Sequence, residues 1–164
     1  MSVITIQKSF EEVMASLNAI AAARVWVVGC DKCGKVSKTG GTDEVVDMRT
    51  RLRSAGLQVD EPDGVPPACE DGLCDPKAVE AIAKSYGARD MDAVLVMACG
   101  AGLRCVADNY PGKTVLPALN TLGPGVKDKL SCLSCGDCRF HEGKCKMVDL
   151  VAQVHCMFAK REDP

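Results

Sequence analysis

Four short apolar runs, separated by helix-length segments, constrain this chain more than any other feature. They cover residues 24–29 (RVWVVG), 57–60 (LQVD), 91–99 (MDAVLVMAC) and 113–119 (KTVLPAL). The first and third are almost continuously apolar, the pattern of strands covered on both faces. Between the runs, apolar residues recur every three or four positions. Val45, Met48 and Leu52 share one helical face, as do Val79, Ile82, Ala83 and Tyr86, and then Leu103, Val106 and Tyr110. Strand and helix therefore alternate as β-α-β-α-β-α-β. That order calls for an α/β domain, a Rossmann-like parallel sheet of about four strands with flanking helices. Right-handed crossovers leave few topologies, and the strand order 2-1-3-4 is expected.

Local signals set the boundaries. Ser9 and Glu12 match the S-x-x-E capping box, ahead of a helix with Val13, Leu17, Ile20 and Ala21 on one face. Thr42 is the expected N-cap of the next helix, which Gly56 ends. Residues 30–41 and 61–74 read as loops, with no helix start after Cys30. Asp75 caps a helix that has Pro76 at its first position, and residues 100–102 (GAG) turn into another. From about residue 129 the pattern changes. A cysteine-dense stretch gives way to Val148, Val151, Val154 and Phe158 at helical spacing. The expected organisation is an α/β domain with an N-terminal helix over 1–128, and a small cysteine-rich module with a C-terminal helix over 129–164.

Composition excludes several classes of function. The formal net charge is −2 and aromatic residues make up 4%, so neither a basic footprint nor a base-stacking surface is available for nucleic acid. The longest apolar run is broken by Arg24 and falls short of the roughly 20 residues a bilayer span needs. No basic n-region precedes an apolar stretch at the start. A cytoplasmic protein without membrane contact is expected. In that compartment eleven cysteines are metal or cluster ligands rather than a disulfide framework, and the odd number leaves at least one for something else.

The densest group is CLSCGDCRFHEGKC, with Cys132, Cys135, Cys138 and Cys145. C-x2-C-x2-C is the run with which bacterial ferredoxins wrap a [4Fe–4S] cluster. The fourth thiolate here follows after six intervening residues, without the following proline of the ferredoxin run. Zinc is the alternative, since four thiolates also make a tetrahedral site, although structural zinc usually takes two separated knuckles. Electron transfer follows from iron only.

A second group is dispersed. Cys30 and Cys33 form a C-x2-C after the first strand, Cys99 follows the third, and Cys74 precedes a helix N-terminus, whose dipole favours an anionic sulfur. If the first and third strands are adjacent and parallel, these residues meet at the carboxyl edge by the topological switch point, where open α/β sheets hold ligands. A thiol-redox pair at Cys30 and Cys33 is the alternative. Cys69 is placed to replace Cys74 as a ligand. Cys105 and Cys156 read as core thiols, and His141 and His155 as surface or packing residues. CGAGLRC has two of the three glycines of a dinucleotide fingerprint and no acidic partner at the required offset. No paired acid and base marks a catalytic cleft.

Taken in order, VVGCDKCGKVSKTGG, GLCDPKAVEAIA, DAVLVMACGAG, VLPALNT and CLSCGDC resemble the methylene-tetrahydrofolate reductase C-terminal family, over about residues 4–145. This is the small, MetV-type iron–sulfur subunit found beside a flavin-containing reductase subunit. The resemblance implies an electron-transfer role in one-carbon metabolism, passing electrons to the flavin of the large subunit, with one or two [4Fe–4S] clusters. It assigns the family's first-strand cysteine pair to Cys30 and Cys33, its central-loop cysteine to Cys74 and its Ala-Cys-Gly cysteine to Cys99. It assigns the tail cysteines to Cys132, Cys135, Cys138 and Cys145. The chain departs from the family at Ser37, where a further cysteine is common, and in its last residues, CMFAKREDP, which lack the family's glycine- and cysteine-rich end.

Overall fold

The computed structural model describes residues 2–61, 63–86, 90–126 and 131–132. In chain order they form β1 (Ser2–Gln7), α1 (Phe10–Ala19), β2 (Arg24–Cys30), α2 (Cys33–Val36), α3 (Thr42–Ser54), β3 (Gln58–Asp60), β4 (Ala68–Cys69) and α4 (Pro76–Tyr86). They continue as β5 (Ala93–Met97), α5 (Gly100–Asn109), β6 (Thr114–Pro117), β7 (Leu119–Val126) and β8 (Ser131–Cys132). The chain divides into two compact units, Thr5–Thr121 and Met1–Ile4 with Leu122–Pro164. In the second, Gly125 and Val126 pair antiparallel with Cys132 and Ser131. A three-stranded sheet has the order β1-β7-β8.

The first unit holds a five-stranded sheet of order β3-β2-β5-β6, with β4 also on β2. All its ladders are parallel. For the four strands expected from the sequence this is the order 2-1-3-4. The central strand β2 alternates its side chains between two cores. Val25 and Val27 join Val13 and Leu17 of α1 and Val45, Met48 and Leu52 of α3. Trp26, Val28 and Cys30 join Val79 of α4, Val106 of α5 and Tyr110. Helices thus cover both faces, which is why β2 and β5 are apolar at nearly every position. Trp26 and Tyr110 pack with ring centroids 5.5 Å apart and planes tilted by 50°, and burial pushes the Tyr110 phenol up to about 12.

One edge of β2 is shared. β3 pairs with Arg24–Trp26 and β4 with Gly29–Cys30, which leaves the Val27 carbonyl at the step between them. Arg49 fills that step. Its side chain is 5% exposed, and its Nη2 donates to Val27 O at 2.8 Å. Glu61, just past β3, accepts from Arg53 at 2.8 Å and lies 3.6 Å from Arg49 Nη1. The Arg53 guanidinium, then Arg49, holds its carboxyl below the usual range.

Several boundaries differ from the sequence expectation. Ser9 does cap α1, its Oγ accepting the Glu12 N–H at 3.1 Å, but the helix ends at Ala19, so Ala21 (φ 51°) and Ile20 lie outside it. Gly41, not Thr42, is the N-cap of α3, and the Glu44 carboxylate accepts its N–H at 2.9 Å. The loop expected over 30–41 contains the four-residue helix α2, and the loop expected over 61–74 contains β4. The strand β1 precedes the capped helix. The cysteine-rich module and its helix lie outside the described residues, except for Cys132 in β8. No described helix is long and apolar enough to cross a membrane.

Close backbone contact at Gly40 makes a stability test possible. A Cβ there would stand 2.1 Å from the Met97 carbonyl oxygen, whereas one on Gly100 would meet only Thr121 Oγ1 at 3.8 Å. Gly40→Ala is expected to lower the urea midpoint by an amount equivalent to about 1–3 kcal/mol. Gly100→Ala is expected to leave it nearly unchanged.

A pH test is available at Asp92, which precedes β5. Its carboxylate accepts the N–H groups of Arg24 and Ala23, both at 2.8 Å. These bonds, Arg24 first, lower its pKa, with smaller help from the charges of Lys113 and Arg24. The stabilisation is present above the unfolded-state pKa and is lost as pH falls through the lower folded-state value. Asp92→Asn is therefore expected to be less stable than the wild type at neutral pH. The gap should close as pH drops below the ordinary Asp value of about 3.9, as read by urea unfolding across pH.

Candidate metal centre

The order β3-β2-β5-β6 reverses direction between β2 and β5, because the chain leaves β2 toward β3 on one side and reaches β5 on the other. Cys30 ends β2, and Cys99 lies just past β5 as the N-cap of α5. The two expected strand-end cysteines therefore flank the switch point, the usual ligand position of such a sheet. Both are buried, at 3% and 5% exposure.

Cys33 is delivered by the turn after β2. It opens α2, and its carbonyl accepts the Ser37 N–H at 3.0 Å. The chain then folds back over the sheet end, and the Gly40 carbonyl accepts the Cys30 N–H at 2.7 Å. Glycine is required along this path. A Cβ on Gly29 would stand 2.4 Å from Gly40 O, and one on Gly34 would stand 3.1 Å from Gly40 C. The return segment is fastened to β1. The hydroxyls of Thr5 and Thr39 are 2.6 Å apart, Gln7 Nε2 donates to Thr39 O at 2.9 Å, and the Thr5 N–H donates to Ser37 Oγ at 3.3 Å.

Cys74 arrives from the segment after β4. Gly72, at φ 95°, turns the chain, and a Cβ there would meet Lys32 Cγ at 3.0 Å and Cys74 Sγ at 3.7 Å. This turn therefore packs against the residues leading to Cys33. Leu73 is buried against α5, where a Cβ on Gly102 would stand 3.1 Å from Leu73 Cβ. Asp75 caps α4 as expected, its Oδ1 accepting the Lys77 N–H at 2.9 Å. Cys74 and Cys99 thus stand at the N-terminal ends of α4 and α5, where the helix dipoles favour negative sulfur.

Burial raises the Cys74 pKa most, followed by the charges of Cys30, Cys99 and Cys33, in that order. All three other members of the dispersed set act on the exposed Cys74 thiol. No disulfide forms among the described cysteines. No three described His, Cys, Asp or Glu side chains are arranged as they stand to hold a metal ion. As they stand, these thiols do not form a closed ligand set.

Cys69 was placed in a loop by sequence reasoning but lies in β4 as the register partner of Cys30. A two-residue strand has no periodicity to read, and its neighbours are prolines and acids. Burial raises its pKa most, opposed by N–H groups of Gly72 and Asp71 that bond its sulfur, while Cys30 adds to the rise. Cys105 is half-buried on α5 and packs against the second core. Burial raises its pKa, followed by the charges of Asp108 and Asp75. Cys135, Cys138, Cys145, Cys156 and both histidines lie outside the described residues, and Cys132 is described only as a strand residue.

A separate cleft of about 370 Å³ is lined by Lys35, Lys38, Gly41, Thr42, Asp43 and Glu44. The N–H groups at that end of α3 are already engaged, Gly41 by Glu44 and Thr42 by Asp31 Oδ1 at 3.0 Å.

No protein-family model, curated protein or solved structure matches this chain.

Ser37 stands where the resembled family commonly has a cysteine, and here it is 3% exposed and engaged with β1. Ser37→Ala is expected to cost about 1 kcal/mol of stability. The iron and zinc content of the purified chain should not change, as read by elemental analysis.

Proposed function

We propose that this chain is an iron–sulfur electron-transfer subunit, with one [4Fe–4S] cluster on Cys30, Cys33, Cys74 and Cys99 and a second on Cys132, Cys135, Cys138 and Cys145. The observation that supports this most is that the buried Cys30 and Cys99 end or follow the adjacent parallel strands β2 and β5, at the switch point where such sheets hold ligands. The donor set fits such a group in type. It comprises four thiols, none of them in a disulfide, from three chain segments, two of them at helix N-termini. When bound, the cluster would supply one-electron chemistry. The chain's own residues would hold it, with the glycine-lined return of residues 34–41 and the buried Leu73 shielding the sheet side.

Its partner, in this proposal, is a flavin-containing methylene-tetrahydrofolate reductase subunit or a similar redox protein in one-carbon metabolism. The ordered cysteine motifs support that choice. The short helix opened by Cys33 favours a second reading, a thiol-redox pair at Cys30 and Cys33, because such pairs stand at helix N-termini. Zinc held by the same thiols would give a structural module without redox chemistry.

Iron, acid-labile sulfide and zinc are to be measured per chain after anaerobic purification, for the wild type and for Cys33→Ser. The proposal expects about eight irons in the wild type and about four in the variant. Zinc without iron would rule out electron transfer. Unchanged iron in the variant, with loss of disulfide reductase activity, would favour the thiol pair.

A further inference from the structure

A four-thiolate site on Cys30, Cys33, Cys74 and Cys99 leaves Cys69 over, and Cys69 stands directly beside one of those four. Cys30 and Cys69 are register partners on adjacent parallel strands, which lie about 4.8 Å apart. Both side chains lie in the core on the α4 and α5 side of the sheet, so they share one face. A disulfide needs Cα atoms about 4.4–6.8 Å and Cβ atoms about 3.5–4.5 Å apart, so the Cα spacing of this pair is in range and its Cβ atoms need to close by only a few tenths of an ångström. The Asp31 N–H bonds to the Cys69 carbonyl at 2.9 Å and the Gly29 N–H to the Pro67 carbonyl at 2.9 Å, which fixes the two strand ends relative to each other.

We infer that Cys30 and Cys69 form a reversible disulfide when the site is without its metal, so that oxidation closes the site by withdrawing one ligand. The inference rests on Cys30 being a ligand in the proposed cluster. With hydrogen peroxide as oxidant the chemistry balances. One thiol sulfur attacks the peroxide, the O–O bond breaks, and a sulfenic acid and water result. The second sulfur displaces the hydroxyl of the sulfenic acid, forming the S–S bond and releasing a second water. Two thiols and one peroxide thus give one disulfide and two waters. A dithiol reductant reverses the step, and the ligand set is restored. No other two described cysteines combine strand register with a shared face.

The test uses the full chain, stripped of metal by a chelator under reducing conditions and then treated anaerobically with hydrogen peroxide. Peptide mapping after blocking of free thiols is expected to find Cys30 joined to Cys69. Cys69→Ser should lose that crosslink, and Cys105→Ser should keep it. After treatment the wild type should fail to take up iron and sulfide until reduced, while peroxide-treated Cys69→Ser should still take them up. Cys30 joined to Cys33, Cys74 joined to Cys99, or Cys30 and Cys69 both remaining free would overturn the inference. The iron content of the untreated chain separates the two proposals. A Cys30–Cys69 crosslink in a chain that never binds iron removes the cluster and leaves the disulfide. Bound iron with a different crosslink does the reverse.

Discussion

Everything at the candidate site depends on the parallel pairing of β2 with β5. Five consecutive register pairs, from Val25 with Ala93 to Gly29 with Met97, lock the two strands together. This ladder ends where the chain changes direction, and it sets Cys30 and Cys99 at the same end of the sheet. The strands stay paired because both faces are covered. Removal of apolar area on the α1 and α3 side and on the α4 and α5 side drives the layers together, and the alternation along β2 serves both. The remaining edge of β2 is completed piecewise by β3, Arg49 and β4, so its hydrogen-bonding groups are met by three different elements.

Glycine then decides how closely the connecting segments can approach. Gly29, Gly34 and Gly40 let the return after α2 lie against the strand ends, and Gly102 lets the start of α5 approach Leu73. These contacts bring Cys33 and Cys74 toward cysteines that the strands have already positioned. The glycines matter for space rather than for special dihedral angles, except Gly72, which sits at φ 95°. The segments that carry these cysteines are thus held against the sheet by close backbone packing.

Much of this was legible in the sequence. The strand order followed from four apolar runs, and the Ser9 and Asp75 caps followed from local patterns. The placing of Cys30 and Cys99 at the same sheet end followed once their strands were set side by side. Other features were not legible, for physical reasons. Ala68 and Cys69 form a strand only because Gly29 and Cys30 offer an edge, a long-range condition that no local window contains. Helix α2 is too short for periodicity. The run Val3–Ile6 does have the β-branched character of a strand, but it is short and lies directly before the stronger capping signal at Ser9. Gly41 replaced Thr42 as the cap because Glu44 reaches back to its N–H while Asp31 takes the next one. Burial of Ser37 against Thr5 depended on a contact 32 residues away in sequence.

The central claim is that the switch-point thiols hold a cluster of their own, independent of the tail. The most direct measurement is the EPR spectrum, with iron quantitation, of a reduced full-length variant in which Cys132, Cys135, Cys138 and Cys145 are all serine. The account predicts about four irons per chain and a [4Fe–4S] signal that disappears on the further change Cys74→Ser. A folded variant without iron would contradict it and would confine any cluster chemistry to the tail.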